Sequence, residues 1–205
     1  MSTNEELPEV TLDEFEVGWA KSVGYYRHFV SVRKKRKQSD GSDDSNALKN
    51  HQQGAAAELA LAKYLSIDWT APVNTFNGFP DLDGLLESRS KQPRQSYMRL
   101  YPNRDSEKGD SVFASISSLG RDLTKFRIDG WIVGKDAMKA EYIEKSKYNE
   151  DSEWHPPVAH LQPPATLKPE VTRRQRVFRR GRTKMLVWVK NTLADEAAKA
   201  AQKGL

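Results

Sequence analysis

The chain has 205 residues, of which 33 are Lys or Arg and 28 are Asp or Glu, so its net charge is +5. This length is sufficient for one domain with a sizeable core. The absence of cysteine excludes disulfides, thiolate metal sites and cysteine catalysis, and it is typical of a cytoplasmic protein. No apolar run approaches the ~18 residues of a membrane span, and the N-terminus lacks the pattern of a secretory signal, so we expect no membrane association.

Charge is distributed unevenly along the chain. Residues 1–16 carry six acidic residues and no Lys or Arg, whereas residues 171–190 carry eight basic residues and no acid. This asymmetry predicts an acidic, disordered arm over residues 1–10 and a basic C-terminal extension over residues 171–205 that faces nucleic acid. We expect the domain between them, residues 11–170, to contain the core.

The first predicted element is a helix. It would begin after Thr11, which can form a capping box with Glu14, and would end near Val32. Its predicted apolar stripe consists of Phe15, Trp19, Val23, Tyr26 and Val30. The basic run at residues 33–37 follows this helix. It is interpreted either as the solvated end of the helix or as a binding patch, and the residues after it are predicted to form a polar loop.

The second predicted helix, at residues 46–65, contains one acidic residue in an unexpected place. Leu61, Ala62 and Leu65 lie three, four and seven residues after Glu58, which puts the carboxylate inside the apolar stripe. An ionised Glu that faces a core is costly unless it is paired or bound to metal. The alternative is that Glu58 lies at the edge of the stripe and reaches solvent.

The rest of the chain is predicted to be rich in strands. We expect strands at about residues 82–90, 96–101, 111–119 and 125–134, a short helix at 135–145, an extended proline-rich loop at 146–170, a strand at 184–189 and a terminal helix from Asn191. The order of helices and strands favours an α/β fold built on a small mixed sheet flanked by helices.

The segment from residue 81 to residue 91 carries the strongest functional signal. In a strand, side chains of alternate residues share one face. The residues of that face are Asp81, Asp83, Leu85, Glu87 and Arg89. Clustered carboxylates repel one another, and a hard divalent cation such as Mg²⁺ removes the conflict. The pattern indicates a metal site that works on phosphate; the alternative is an edge strand protected by charge against sheet-to-sheet association.

The order of these residues resembles that of the PD-(D/E)XK nuclease superfamily. There, an acidic residue on the first helix, an Asp, and an acidic residue followed two positions later by Lys gather around magnesium. The matching residues are Glu58, Asp83, Glu87 and Arg89, with Asp81 as an alternative to Asp83. A closer similarity, over about residues 19–167, is to uncharacterised bacteriophage proteins assigned to that fold. Residues 19–27, 54–63, 73–76, 83–89 and 130–134 carry it.

The resemblance implies a restriction-endonuclease-like core and metal-dependent chemistry on DNA in the cytoplasm, that of the host cell for a phage protein. Glu58, Asp83 and Glu87 would hold Mg²⁺ or Mn²⁺, which polarises the scissile phosphate and activates a water. Arg89 stands where the superfamily has Lys. Arginine is a poor base but can clamp a phosphate oxygen. Lys91 could supply the missing amine if the strand bends.

A second cationic segment lies near the C-terminus. Seven of the twelve residues at 173–184 are basic, with the aromatic Phe178 among them. They are Arg173, Arg174, Arg176, Arg179, Arg180, Arg182 and Lys184. Such a segment is typical of nucleic-acid binding through phosphate, with DNA as the expected ligand. The alternatives are a solvated linker and a contact for an acidic protein.

Three functional classes follow from these features. The leading one is a magnesium-dependent phage nuclease or DNA-processing protein that acts on phosphodiester bonds. The alternative is a catalytically inactive nuclease-like fold that binds DNA or a host protein, which the arginine at position 89 favours. The third is an interaction protein that binds a protein partner through residues 171–205.

Overall fold

The computed structural model of the chain describes residues 6–34, 44–73, 82, 86–145 and 152–176. The chain divides into two units, Met1–Lys168 and Pro169–Leu205, and each is described by itself. A search of the described residues for a helix long and apolar enough to cross a membrane found none.

Helix α1 spans Glu14–Arg33 and follows the short strand β1 at Glu9–Thr11. Its N-cap is Asp13, whose carboxylate accepts a hydrogen bond from the backbone N–H of Glu16. The Glu16 carboxylate accepts one from the backbone N–H of Asp13, which completes a capping box. The predicted cap at Thr11 is therefore wrong, because strand pairing with a later segment takes Thr11 into β1. Strand β1 also includes residues 9–10 of the predicted disordered arm.

The buried side of α1 differs from the predicted apolar stripe. Its buried residues are Val17, Ala20, Val23, Gly24, Arg27, His28 and Ser31. Of the predicted stripe, Val23 is buried, whereas Phe15, Trp19 and Tyr26 are exposed. The reason is close packing: small residues of α1 meet helix α2, and its large aromatic residues point to solvent.

Helix α2 spans Asp44–Leu65, so the helix predicted at 46–65 is confirmed. It packs against α1, and the two backbones approach closely at Gly24, where an added Cβ would lie 2.6 Å from the backbone nitrogen of Gln52. Helix α2 also packs against the sheet, which places its alanine-rich middle in the core.

The main sheet of the described residues has four strands in the order β1-β4-β3-β2. Its strands after β1 are β2 at Leu86–Lys91, β3 at Val112–Ser118 and β4 at Lys125–Val133. β2 pairs with β3 in parallel, and the other pairs are antiparallel. The prediction of an α/β fold on a small mixed sheet flanked by helices is confirmed.

The two faces of this sheet meet different parts of the chain. On one face, here called the helix face, Ser90 of β2 accepts a hydrogen bond of 3.5 Å from Gln53 of α2. On the other, here called the loop face, Phe113 packs with Met98 and Leu100 from the connection between β2 and β3. Because the register pairs Glu87 with Phe113, the acidic residue of β2 lies on the loop face.

Some predicted elements have different boundaries in the structure. Residues 96–101, predicted as a strand, form isolated bridges, Tyr97 with Pro157 and Leu100 with Trp154. Further short elements are α3 at Pro102–Asp105, α4 at Gly134–Ala137, β5 at Ile143–Lys145 and β6 at Ser152–Trp154. The prediction of a helix at 135–145 is therefore wrong after Ala137, where α4 ends. The segment 146–170, predicted as an extended loop, contains strand β6, which pairs with β5.

The second unit is described only over its first part. Residues 169–176 are helical, and the strand predicted at 184–189 and the terminal helix from Asn191 lie outside the described residues.

Candidate functional site

Glu58 is buried, with 5% of its surface exposed. Its two carboxylate oxygens accept hydrogen bonds from the guanidinium of Arg27, at 2.7 Å from Nη1 and 2.6 Å from Nη2. Trp69 Nε1 lies 3.4 Å from Oε2, and Arg27 Nε donates to the carbonyl of Pro72 at 2.7 Å. The placement of Glu58 on the buried side of its helix is confirmed, and the solvent-reaching alternative is wrong.

Glu87 is also buried, with 2% of its surface exposed, and both of its oxygens meet cations. Lys108 Nζ lies 2.8 Å from Oε1. Arg89 Nη1 and Nη2 lie 3.2 and 3.3 Å from Oε2, because residues two apart on a strand share one face. Ion pairs of this kind offset the cost of burying each charge.

Arg89 is the most constrained side chain of the site. Besides Glu87, it donates to the carbonyl of Ser88 at 2.8 Å and to Asp105 Oδ1 at 2.6 Å. Its guanidinium carbon lies 4.9 Å from the centre of the Phe113 ring, a cation–π geometry. The arginine fork is therefore fixed by several partners in a buried position.

The connection between β2 and β3 supplies the other half of this cluster. Parallel strands need a crossover, and this one carries Asp105 at the end of α3 and then Lys108. The backbone N–H of Tyr101 donates to Asp105 Oδ2 at 2.9 Å, which fixes the carboxylate. Two carboxylates and two cations make the cluster of Glu87, Arg89, Asp105 and Lys108 electroneutral, and we call it the Glu87 cluster.

Glu58 and Glu87 belong to different surroundings. Glu58 lies on α2, which packs on the helix face, whereas Glu87 points to the loop face. Within the described residues, no group of three His, Cys, Asp or Glu residues could hold a metal ion. Asp81 and Asp83 lie outside the described residues, so the metal site of Glu58, Asp83 and Glu87 stays a prediction.

The amine beside Glu87 comes from Lys108, not from Lys91. Lys91 is buried and forms an ion pair of 3.0 Å with Asp129. Its ammonium also donates to Ser117 Oγ at 3.0 Å and to the carbonyl of Gln95 at 2.9 Å. These contacts fix Lys91 in a separate buried network beside the Glu87 cluster.

Sequence reasoning missed three residues of these pairs: Arg27, Asp105 and Lys108. The contact of Lys108 with Glu87 depends on the crossover between the parallel strands β2 and β3, for which the sequence gives no signal. The run of α1 that carries the phage-protein similarity ends at Arg27, but nothing in that run indicates Glu58 as its partner.

The predicted nucleic-acid-binding residues are described in part. Arg173 donates to both oxygens of Glu170, at 2.8 and 2.7 Å, and Arg174 donates to Oε1 of the same carboxylate at 2.5 Å. The hydrogen bonds from Arg173, followed by those from Arg174, lower the pKa of Glu170 from 4.5 to about 2. Arg176 is exposed. The other predicted residues, Arg179, Arg180, Arg182 and Lys184, lie outside the described residues.

Comparison of the chain with protein-family models, curated proteins and solved structures finds no match. The similarity to the nuclease superfamily therefore rests on the matching residues of this sequence and stays a prediction. The structure itself establishes a mixed α/β fold in which two buried carboxylates, Glu58 and Glu87, are each neutralised by basic side chains.

Proposed function

We propose that the chain is a nucleic-acid-binding protein with a nuclease-like fold that does not cleave its ligand. The observation that carries this proposal is the fixed position of Arg89. Its guanidinium is buried, bonded to Glu87, Ser88 and Asp105, and stacked over Phe113. A side chain held in this way cannot take a proton from water, because arginine remains charged near neutral pH.

The charges around Glu87 support the same proposal. Both of its oxygens already contact a cation, Lys108 on one side and Arg89 on the other. A divalent metal bound to Glu87 would lie close to the positive charge of Arg89 or Lys108. Coulomb repulsion at such distances weakens metal binding.

The distribution of basic residues supports nucleic acid as the ligand. Seven basic residues lie within residues 173–184, and the chain as a whole carries a net charge of +5. Each phosphate that such a segment neutralises releases counterions, so affinity falls with salt. If all seven cations contact phosphate, the slope of log K against log salt is about −6 for duplex DNA and about −5 for a single strand.

A second candidate function, magnesium- or manganese-dependent cleavage of DNA, is favoured by Lys108. Its side chain is 19% exposed and its ammonium lies 2.8 Å from Glu87. In the superfamily pattern a lysine beside the metal-binding carboxylate orients the nucleophilic water, and an ammonium can do so as a hydrogen-bond donor. In this candidate, Asp83 and Glu87 bind the metal and Lys108 takes the place of the superfamily lysine.

The two candidates are separated by a cleavage assay combined with a binding assay. Plasmid, linear and branched DNA are incubated with the wild-type protein and Mg²⁺ or Mn²⁺, and DNA binding is measured by fluorescence anisotropy between about 50 and 200 mM salt. We expect salt-dependent binding and no metal-dependent cleavage.

Variants of the Glu87 cluster provide the controls. Cleavage that disappears in Glu87→Gln and in Lys108→Ala, but persists in Glu107→Gln, would establish the nuclease instead. Glu107 is a matched control because it is exposed and lies in the same connection. Absence of both binding and cleavage, with capture of a protein by residues 171–205, would place the chain in the interaction class.

A further inference from the structure

Helix α1 presents aromatic side chains to solvent along most of its length. Phe15 is 79% exposed, Trp19 41%, Tyr26 58% and Phe29 51%. We call these four residues the aromatic face of α1. Large apolar side chains are usually withdrawn from water, so a row of four exposed rings indicates a surface that binds something.

The aromatic face forms one continuous stripe. At 100° per residue, the four positions fall within an arc of ~80°, opposite the buried side of the helix. At 1.5 Å per residue, they extend over ~21 Å of helix axis. Neighbouring rings restrict two of these side chains. The ring centroids of Trp19 and Trp69 lie 4.9 Å apart in an edge-on arrangement, and those of Tyr26 and Tyr25 lie 5.9 Å apart. The stripe is therefore partly preorganised while its members stay accessible.

The charge of this segment specifies the chemistry of the ligand. Residues 17–37 contain seven Lys or Arg residues and no Asp or Glu. Arg27 forms an ion pair with Glu58, whereas Lys21 and Arg33 are exposed. The carboxylates of α1, Glu14 and Glu16, lie in its first turn beside Phe15. From residue 17 onward the helix combines rings with cations, and this part complements a polyanion that offers flat apolar groups.

We infer that the aromatic face of α1 is a stacking platform for single-stranded nucleic acid. Unpaired bases stack on exposed rings, while Arg33 neutralises phosphate at the end of the helix. Bases of a duplex are already stacked inside it, so a duplex cannot use this face. The inference rests on the proposed nucleic-acid binding and adds both the strand form of the ligand and a surface distinct from residues 173–184.

The first experiment measures the strand preference of the full chain. A labelled oligothymidylate of about 15 nucleotides and a duplex of the same length are titrated in a fluorescence anisotropy assay. We expect tighter binding of the single strand. Equal or tighter binding of the duplex would overturn the inference but would leave the proposed function intact, and no binding of either would contradict both.

The second experiment tests the rings themselves. Because stacking is worth about 1–3 kcal/mol per base, Tyr26→Ala and Phe29→Ala should each weaken single-strand binding about 5-fold or more. Phe29→Leu should weaken it similarly, because leucine keeps the apolar surface but has no ring. Ile143→Ala removes an equally exposed apolar side chain from β5 and should leave binding unchanged.

The same variants distinguish stacking from other uses of this face. Circular dichroism should show unchanged helix content, because the substituted side chains are exposed. Retention of full binding in Phe29→Leu would favour a general apolar contact and overturn the inference. The inference also fails if the protein dimerises without nucleic acid and Phe29→Ala abolishes the dimer in sedimentation velocity, because α1 would then bind a second copy of the chain.

Discussion

Arg27 of α1 and Glu58 of α2 form a two-bond ion pair that joins the two helices, with nitrogen–oxygen distances of 2.7 and 2.6 Å. Both side chains are buried, so each charge depends on the other for its neutralisation. The carboxylate that was predicted to bind a metal is, in this protein, part of the contact between two helices. This relationship predicts a large effect on stability.

We expect Arg27→Ala to lower the free energy of unfolding by about 3–5 kcal/mol, because it leaves the Glu58 carboxylate buried without its cation. Urea denaturation followed by circular dichroism measures this difference. Lys63→Ala is the matched control, since Lys63 pairs with Glu16 at 2.7 Å in an exposed position. An exposed ion pair contributes about 0–1 kcal/mol to the free energy of unfolding. Equal losses in the two variants would show that the Arg27–Glu58 pair has no special role.

A second prediction concerns Arg89, which stands where the resemblance to nucleases predicts Lys. Arg89→Lys introduces the amine of the superfamily, but one ammonium cannot reach Glu87, Asp105 and the Ser88 carbonyl in the geometry of a fork. We expect a loss of stability of about 1–3 kcal/mol and no gain of metal-dependent cleavage. Arg94→Lys, at an exposed position, should change neither property. A stable Arg89→Lys protein that cleaves DNA would contradict this expectation and support the second candidate.

The sequence allowed the layers of the fold to be predicted, but not the side of α1 that packs. Helix α2 was recognisable from its alanine-rich pattern, and β2, β3 and β4 from their apolar residues. On α1, aromatic residues suggested the buried stripe, yet the buried side contains Ala20, Gly24 and Ser31. A hydrophobic pattern indicates which residues favour burial, whereas the close approach of a second helix selects small residues.

The candidate site was predictable only where it depended on local spacing. The placement of Glu58 among apolar residues indicated its burial, and the strand period placed Glu87 and Arg89 on one face. The partners Arg27 and Lys108 lie 31 and 21 residues away in sequence from the carboxylates they contact. Such pairs depend on strand direction and helix crossing, which single-sequence spacing does not contain.

A third prediction tests the crossing of α1 and α2. Gly24→Ala would place a Cβ 2.6 Å from the backbone nitrogen of Gln52, so the helices would have to separate. We expect Gly24→Ala to lower the free energy of unfolding by about 1–3 kcal/mol, the usual cost of overpacking. Gly18→Ala is the control on the same helix, because nothing lies within 4 Å of an added Cβ there. It should raise stability by about 0.5–1 kcal/mol. A Gly24→Ala protein more stable than the Gly18→Ala protein would contradict the close crossing of the two helices.

The last prediction concerns the pH dependence of the basic extension. The pKa of Glu170 falls from 4.5 to about 2, mainly because its carboxylate accepts hydrogen bonds from Arg173. A group whose pKa is lower in the folded state stabilises that state above its unfolded pKa. The contribution of Glu170 is therefore complete above pH 4.5 and is lost as the pH falls from about 4.5 to about 2.

An NMR titration of the Glu170 side-chain carboxyl carbon in the full chain measures this pKa directly. We expect a midpoint near 2 in the wild-type protein and a higher one in Arg173→Gln, which removes the two hydrogen bonds from Arg173. Lys168→Gln, which leaves both arginine contacts in place, should keep the low midpoint. A wild-type midpoint near 4.5 would show that Glu170 does not pair with these arginines in solution.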